Sequence, residues 1–103
     1  MAKFLMNSAV IPAGKYGDWK YERATWRELA AWMEEGNYES RICYQDTANL
    51  IEKMTGRSVP LSRDLAEMQD GDEAMVVRMR YRLAKSMDPA DWEVGRLEYY
   101  VGE

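Results

Sequence analysis

The chain has 103 residues, 47% of them hydrophobic, with a formal net charge of −4, one cysteine and no histidine. This length fits one domain, and the hydrophobic fraction excludes a disordered segment. The missing histidine excludes Ser-His and Cys-His nucleophiles, the single cysteine excludes an internal disulfide and a Cys-based zinc site, and the acidic balance argues against non-specific nucleic-acid binding.

The first quarter of the chain predicts two strands and the start of a helix. Lys3–Met6 is an apolar stretch that predicts a short strand, and the proline- and glycine-containing segment 9–18 predicts a loop. Residues 19–23 alternate aromatic and charged side chains, which is typical of a half-buried strand. Thr25 and Glu28 have the spacing of a capping box and predict that a helix begins there.

The middle of the chain predicts the end of this helix and one further helix. Gly36 ends the first helix, and residues 39–43 are predicted to be extended. The second helix is predicted to begin at Asp46 or Thr47 and to end at Gly56. Both helices carry apolar residues at helical spacing, which predicts that they cover a sheet.

The last third of the chain predicts the remaining strands. Residues 59–61 are predicted to be extended, and residues 70–72 form a turn before the longest strand, 74–83. Residues 88–89 begin a short helical turn, and residues 96–101 form a closing strand. The chain is therefore predicted to be a single α/β domain over residues 1–103, with a mixed sheet of about five strands flanked by two main helices.

Targeting signals are weak in this sequence. The apolar stretch near Met1 is too short for a signal peptide, and no segment resembles a membrane span. We therefore expect a cytoplasmic protein with no membrane partner.

The longest predicted strand carries a regular set of arginines. Alternation places Arg78, Arg80 and Arg82 on one face, about 7 Å apart, and Lys85 extends the positive charge. Successive phosphates of a nucleic acid have a similar spacing, and arginine pairs with phosphate through two hydrogen bonds. Two interpretations stay open: acidic side chains of neighbouring strands neutralise a solvated face, or the face binds an anion.

The start of the second helix is the other candidate anion site. A helix N-terminus presents free backbone amides and a partial positive charge, which suits phosphate. The alternative is that Asp46 or Thr47 simply caps the helix. Tyr44 and Gln45 precede it at the mouth and can hydrogen-bond to a base or stack on it, whereas Cys43 is expected to be a structural thiol.

Short motifs follow one another in a characteristic order: Asn7-Ser8-Ala9-Val10, Thr47-Ala48, Thr55-Gly56, Val59-Pro60, Arg63, Gly71-Asp72 and Arg82-Leu83. Their order and spacing resemble the viral ring-nuclease anti-CRISPR family over nearly the whole chain. That resemblance implies an α/β homodimer that binds cyclic tetra-adenylate, the alarm molecule of type III CRISPR defence, in a pocket across the dimer interface. It also implies that hydrolysis of this ligand switches the defence off.

The chain departs from the family at the catalytic positions. Alignment on Asp46-Thr47-Ala48 puts Gln45 where the family has its catalytic histidine, and Lys85 replaces an acid three residues after Arg82. Glutamine cannot transfer a proton near neutral pH. We therefore expect binding without cleavage, no catalytic residue, no metal and no cofactor. The expected ligand-binding residues are Asn7, Ser8, Tyr44, Gln45, Asp46, Thr47, Arg78, Arg80, Arg82 and Lys85.

Three functions are compatible with these patterns. The first is a viral or mobile-element anti-defence protein that sequesters a cyclic or phosphorylated nucleotide immune signal. The second is a phosphodiesterase with histidine-free catalysis, in which Arg82 and Lys85 act with Tyr44 and Gln45 on a bound ring. The third is an inhibitor that binds a host defence protein through an aromatic surface of Trp19, Tyr21, Trp92, Tyr99 and Tyr100.

Overall fold

The computed structural model describes residues 2–8, 16–64, 66–80 and 88–101. These residues form a five-stranded mixed sheet with two helices, which confirms the predicted fold class. The strands are β1 (Lys3–Met6), β2 (Asp18–Ala24), β3 (Glu39–Arg41), β4 (Glu73–Met79) and β5 (Trp92–Tyr100), the helices are α1 (Trp26–Glu35) and α2 (Gln45–Thr55), and a 3-10 helix covers Pro89–Asp91.

The sheet combines a parallel part with an antiparallel part. Its strand order is β2-β5-β4-β1-β3, and β1 pairs in parallel with β3 on one side and with β4 on the other. Strand β5 runs antiparallel to both β2 and β4. The carboxyl ends of β1, β3 and β4 therefore meet at one edge of the sheet.

Apolar side chains cover both faces of the sheet, and among the described residues both α-helices pack on the same face. Buried residues of α1 and α2 pack on Leu5, Met75 and Val77 to form the main core. Val76 belongs to a smaller cluster on the opposite, helix-free face, together with Phe4, Met68, Ala74, Leu97 and Tyr99. The side chains of β4 thus alternate between the two faces as predicted. On the second face they are apolar as far as Val76, and the next side chain on that face is the positively charged Arg78.

The helix ends are set by caps, with one difference from prediction. Thr25 Oγ1 accepts a hydrogen bond from the backbone N–H of Glu28 at 3.0 Å, and Gly36 ends α1 with a φ of 75°. Gly56 ends α2 in the left-handed conformation. The prediction that Asp46 or Thr47 caps α2 is wrong, because Tyr44 occupies the cap position and its side chain makes no capping bond.

Two strand boundaries and one predicted extended segment also differ from prediction. Strand β4 ends at Met79, because Arg80 forms a bend whose backbone N–H donates to the carbonyl oxygen of Asp91 at 2.8 Å. Strand β5 begins at Trp92 rather than residue 96, since the antiparallel register pairs Trp92 with Met79. Residues 59–61 form no strand.

Several predicted features lie outside the described residues. They are most of the 9–18 loop, the last part of the predicted strand 74–83, Arg82 and Lys85. In the parts of the chain that are described, neither helix has the length and hydropathy needed to cross a membrane.

Candidate functional site

A cleft of about 390 Å³ opens at the carboxyl edge of the parallel strands. Open α/β sheets bind ligands outside the carboxyl ends of their strands, where loops and helix N-termini converge. Five of the predicted ligand-binding residues line this cleft, together with Met79 and Trp92: Asn7, Tyr44, Asp46, Thr47 and Arg78. The fold therefore brings the two candidate anion sites of the sequence, the start of α2 and the end of β4, to one place.

The N-terminus of α2 forms one wall of the cleft. The first turn of a helix leaves its backbone amides without intrahelical partners, and no side chain caps them here. The first backbone bond of the helix is made by Ala48, whose N–H donates to the carbonyl oxygen of Tyr44 at 3.1 Å. Asp46 lies in this turn and offsets part of the positive end of the helix dipole. Thr47 is buried beneath it, with 2% of its surface exposed.

Asn7 connects the end of β1 to the segment that precedes α2. Its Oδ1 accepts a hydrogen bond from the backbone N–H of Cys43 at 3.3 Å and lies 3.5 Å from the Cys43 Sγ. These contacts use the carbonyl end of the Asn7 amide, so its Nδ2 is the atom available as a donor at this edge. The Cys43 thiol has this contact but is only half-buried, whereas a buried structural thiol was the prediction.

Arg78 stands at the rim of the cleft and is held from the helix-free face. Its Nε donates to Glu93 Oε1 at 2.5 Å, and its guanidinium lies 5.4 Å from the centre of the Tyr21 ring. The Tyr21 hydroxyl donates to the same Glu93 oxygen at 3.2 Å. With 46% of its side chain exposed, Arg78 keeps access to solvent beside the cleft.

The charges in this cluster support one another. The hydrogen bond that Arg78 donates to Glu93 raises the pKa of Arg78. Burial acts to raise the pKa of Glu93, but the hydrogen bond and charge of Arg78 outweigh it and hold that pKa below its ordinary value. Burial, followed by the Glu93 charge, raises the pKa of Tyr21. An acidic partner on a neighbouring strand thus neutralises Arg78, as the first interpretation of the arginine face holds, although Arg78 also lines the cleft.

The other predicted ligand residues lie outside the cleft lining. Ser8 lies in an adjoining cavity of about 170 Å³, which also contains Asn7, Arg41 and Cys43. Gln45 donates its side-chain amide to Asn49 Oδ1 at 2.8 Å. Arg80 lines a neighbouring cavity, and Arg82 and Lys85 lie outside the described residues.

Two residues of the cleft, Met79 and Trp92, are not among the ligand contacts predicted from the sequence. Met79 packs against the main core, and Trp92, 7% exposed, belongs to it. Alternation along β4 places Met79 on the helix-covered face, but Trp92 joins it only through the β4–β5 register. Together they give the cleft an apolar wall beside its polar residues. No cluster of three or more metal-binding side chains occurs in the described ranges.

The fold and the sequence both match known proteins. The model of the protein family described as STIV B116-like matches residues 3–101. The structure of B116 of Sulfolobus turreted icosahedral virus (STIV) is similar to this chain with a TM-score of 0.77 and 16% sequence identity. The similarity covers 94% of this chain and 98% of that protein. No curated protein matches the chain in sequence.

Proposed function

Because the chain belongs to the STIV B116-like family, we propose that it is a viral anti-defence protein that sequesters a cyclic or phosphorylated nucleotide in its cleft. The family takes its name from a viral protein. The observation that supports a nucleotide as the ligand is that an uncapped helix N-terminus, Arg78 and an apolar wall meet in one cleft.

Each part of a nucleotide finds a suitable group in this cleft. A phosphate group suits the free amides at the start of α2 and the guanidinium of Arg78. A base suits the apolar wall of Met79 and Trp92, and Tyr44, 62% exposed at the mouth, can stack on it. The Nδ2 of Asn7 provides a donor for a base or sugar oxygen. Such a division between apolar walls and a few directed polar groups is typical of small-molecule sites.

Sequestration rather than cleavage follows from the residue at the position of the family's catalytic histidine. The position that the family resemblance assigns to a catalytic histidine is Gln45, whose amide neither accepts nor donates a proton at neutral pH. Its side chain is engaged with Asn49. A site with phosphate contacts and no proton-transfer group at this position binds its ligand and leaves the phosphodiester bonds intact.

The size of the cleft supports a homodimer. A volume of about 390 Å³ is near the lower end of the roughly 300–1,000 Å³ range of small-molecule sites. It suits one nucleotide with its phosphate, whereas a cyclic tetranucleotide carries four. Two copies of the chain with adjacent clefts would surround such a ring, so sequestration of cyclic tetra-adenylate requires a second copy of this protein.

The experiment is an uptake and recovery assay with cyclic tetra-adenylate and a panel of other cyclic nucleotides. The protein is incubated with each, the free pool is measured by chromatography, and the bound fraction is recovered after heat denaturation. Sequestration predicts stoichiometric loss from the free pool and recovery of the intact ring. Linear products at substoichiometric protein would instead establish histidine-free catalysis.

Two variants test the location of the site. Arg78→Ala removes the rim guanidinium and is expected to weaken uptake at least tenfold. Arg57→Ala removes another exposed arginine, just beyond the other end of α2, and is expected to bind like the wild type. Failure of the folded protein to take up any member of the panel overturns the nucleotide proposal and favours a host defence protein as the partner.

A further inference from the structure

A second cavity, of about 470 Å³, lies next to the cleft and is dominated by arginine side chains. It is lined by Arg23, Arg78, Met79, Arg80 and Glu93. Arg78 and Met79 line both this cavity and the cleft, so the two spaces meet at the end of β4. A ligand that fills the cleft can therefore extend over the rim without leaving the protein surface.

The sheet register explains how Arg23 reaches this cavity. Arg23 pairs with Gly95 of β5, and Arg78 pairs with Glu93 two residues earlier on that strand. Residues on alternate strands of a sheet are separated by two strand spacings, about 10 Å. Arg23 and Arg78 thus approach Glu93 from either side, and the charge of Arg23 also acts to lower the Glu93 pKa.

The cavity holds more positive charge than the described residues neutralise. Glu93 forms its ion pair with Arg78. Arg23 and Arg80 are both exposed, and among the residues that the structure describes neither forms an ion pair. Three guanidinium groups around one carboxylate leave an excess of two positive charges in a protein of net charge −4. Such a cluster is repulsive unless an anion occupies it.

Two properties of the cavity favour phosphate as that anion. Its lining is mainly polar, in contrast to the apolar wall of the cleft, so it suits a charged group rather than a base. Arginine presents a planar fork of donors that matches the oxygen atoms of a phosphate group, and two adjacent forks can bind the same group from different sides.

We infer that Arg23 and Arg80 form a second phosphate site on the helix-free face, which binds the phosphate adjacent to the nucleotide in the cleft. This inference rests on the proposed function, since it assigns the next group of the same ligand. Arg78, between the two spaces, contacts both phosphates or the ribose that links them. This site includes Arg23 of β2. In the sequence, neither the arginines of the predicted strand 74–83 nor the start of α2 points to this residue.

The test compares ligands with increasing numbers of phosphates. Dissociation constants are measured by calorimetry for AMP, a linear 5′-phosphorylated diadenylate and cyclic tetra-adenylate, with wild type, Arg23→Ala, Arg80→Ala and the control Arg57→Ala. Circular dichroism confirms that each variant is folded. Arg23→Ala and Arg80→Ala are expected to weaken the diadenylate and the ring about tenfold, with a much smaller effect on AMP.

Salt dependence provides a second readout that a loss of packing would not change. Each lost phosphate contact is expected to reduce the slope of log K against log salt by about 0.7 for a single strand. Unchanged ring binding in Arg23→Ala and Arg80→Ala, with weakened binding in Arg78→Ala, would overturn the second site and leave the proposed function standing. Wild-type protein that binds none of the three ligands would overturn both.

Discussion

The ring of Tyr21 lies directly over Gly95 on the helix-free face of the sheet. A side chain at residue 95 would occupy the space of the Tyr21 ring and hydroxyl. In this position the hydroxyl reaches Glu93, and the ring lies against the guanidinium of Arg78. Because Gly95 has no side chain, the Tyr21 ring can occupy this space and hold Arg78 at the rim of the cleft.

The effect of Gly95→Ala on the free energy of unfolding is expected to change sign with the residue at position 21. Gly95→Ala forces the Tyr21 ring away from Glu93 and is expected to destabilise the protein by about 1 kcal/mol. In a Tyr21→Ala background the clash is gone, and the better strand propensity of alanine is expected to stabilise by about 0.5 kcal/mol. Urea unfolding of the four proteins in this cycle measures both values. Equal effects of Gly95→Ala in the two backgrounds would contradict the contact.

The uncapped start of α2 predicts a trade between stability and binding. Tyr44→Ser supplies a capping hydroxyl and is expected to stabilise the protein by about 0.5–1 kcal/mol. The same hydroxyl competes with a phosphate for the free amides, so ligand affinity is expected to fall. Tyr44→Ala, which removes the ring and adds no cap, is the matched control for the effect of the serine hydroxyl. Thermal unfolding and calorimetry on the same samples test the prediction, and a Ser variant that binds more tightly than the Ala variant would contradict it.

The ion pair between Arg78 and Glu93 predicts a pH-dependent stability. Because the folded-state pKa of Glu93 is lowered, its contribution is present above the unfolded value of about 4.3 and is lost as the pH falls through the folded value. Arg78 is 46% exposed, so solvent screening keeps this contribution at about 1 kcal/mol or less.

The measurement is the difference in Tm between wild type and Glu93→Gln from about pH 7 to pH 3. The wild type is expected to be more stable at pH 7, and the two curves are expected to converge in acid. Glu22→Gln, which removes a more exposed ion pair with Lys20, is the control and is expected to show a smaller difference. Curves for Glu93→Gln that stay parallel to the wild type would be inconsistent with the lowered pKa.

A buried carboxylate between two backbone amides is expected to be a strong determinant of stability. Asp72 is 4% exposed and accepts hydrogen bonds from the N–H groups of Ala2 and Gln69, each at 2.7 Å. Asp72→Ala leaves both donors without this partner and is expected to cost about 3 kcal/mol. Asp70→Ala removes one exposed bond, to Val101 N–H, and is expected to cost less than half as much. Similar urea midpoints for the two variants would refute this ranking.

The sequence predicts the local elements well because their signals are local. The alternation of residues 19–23 and the cap at Thr25 each act within a few residues, and β2 and α1 lie where these signals place them. The start of β5 was predicted four residues too late, since its first residues are held by pairing with β4 rather than by their own pattern.

Part of the candidate site is likewise predictable from local sequence signals, and the rest depends on how the strands pair. The start of α2 and the end of β4 are legible as separate anion sites, and parallel pairing of β1 with β3 and β4 brings them together. Arg23 carries no signal of its own, since it reaches the second cavity only through the β2–β5 register. Glu93 is likewise recognisable as a partner of Arg78 only when the two strands are paired.

The position of β1 between β3 and β4 has a consequence for the order in which the protein folds. Its backbone pairs with β4, and the bond from Ala2 to Asp72 joins residues 70 positions apart. Non-local parallel pairing is slow to form, because a long loop must close before any contact compensates for its entropy. During synthesis the four residues of β1 leave the ribosome before β4 does. The apolar residues Phe4 and Leu5 therefore stay exposed until β4 can pair with β1. Synthesis must therefore reach the end of β4, at Met79, before this sheet can close around β1.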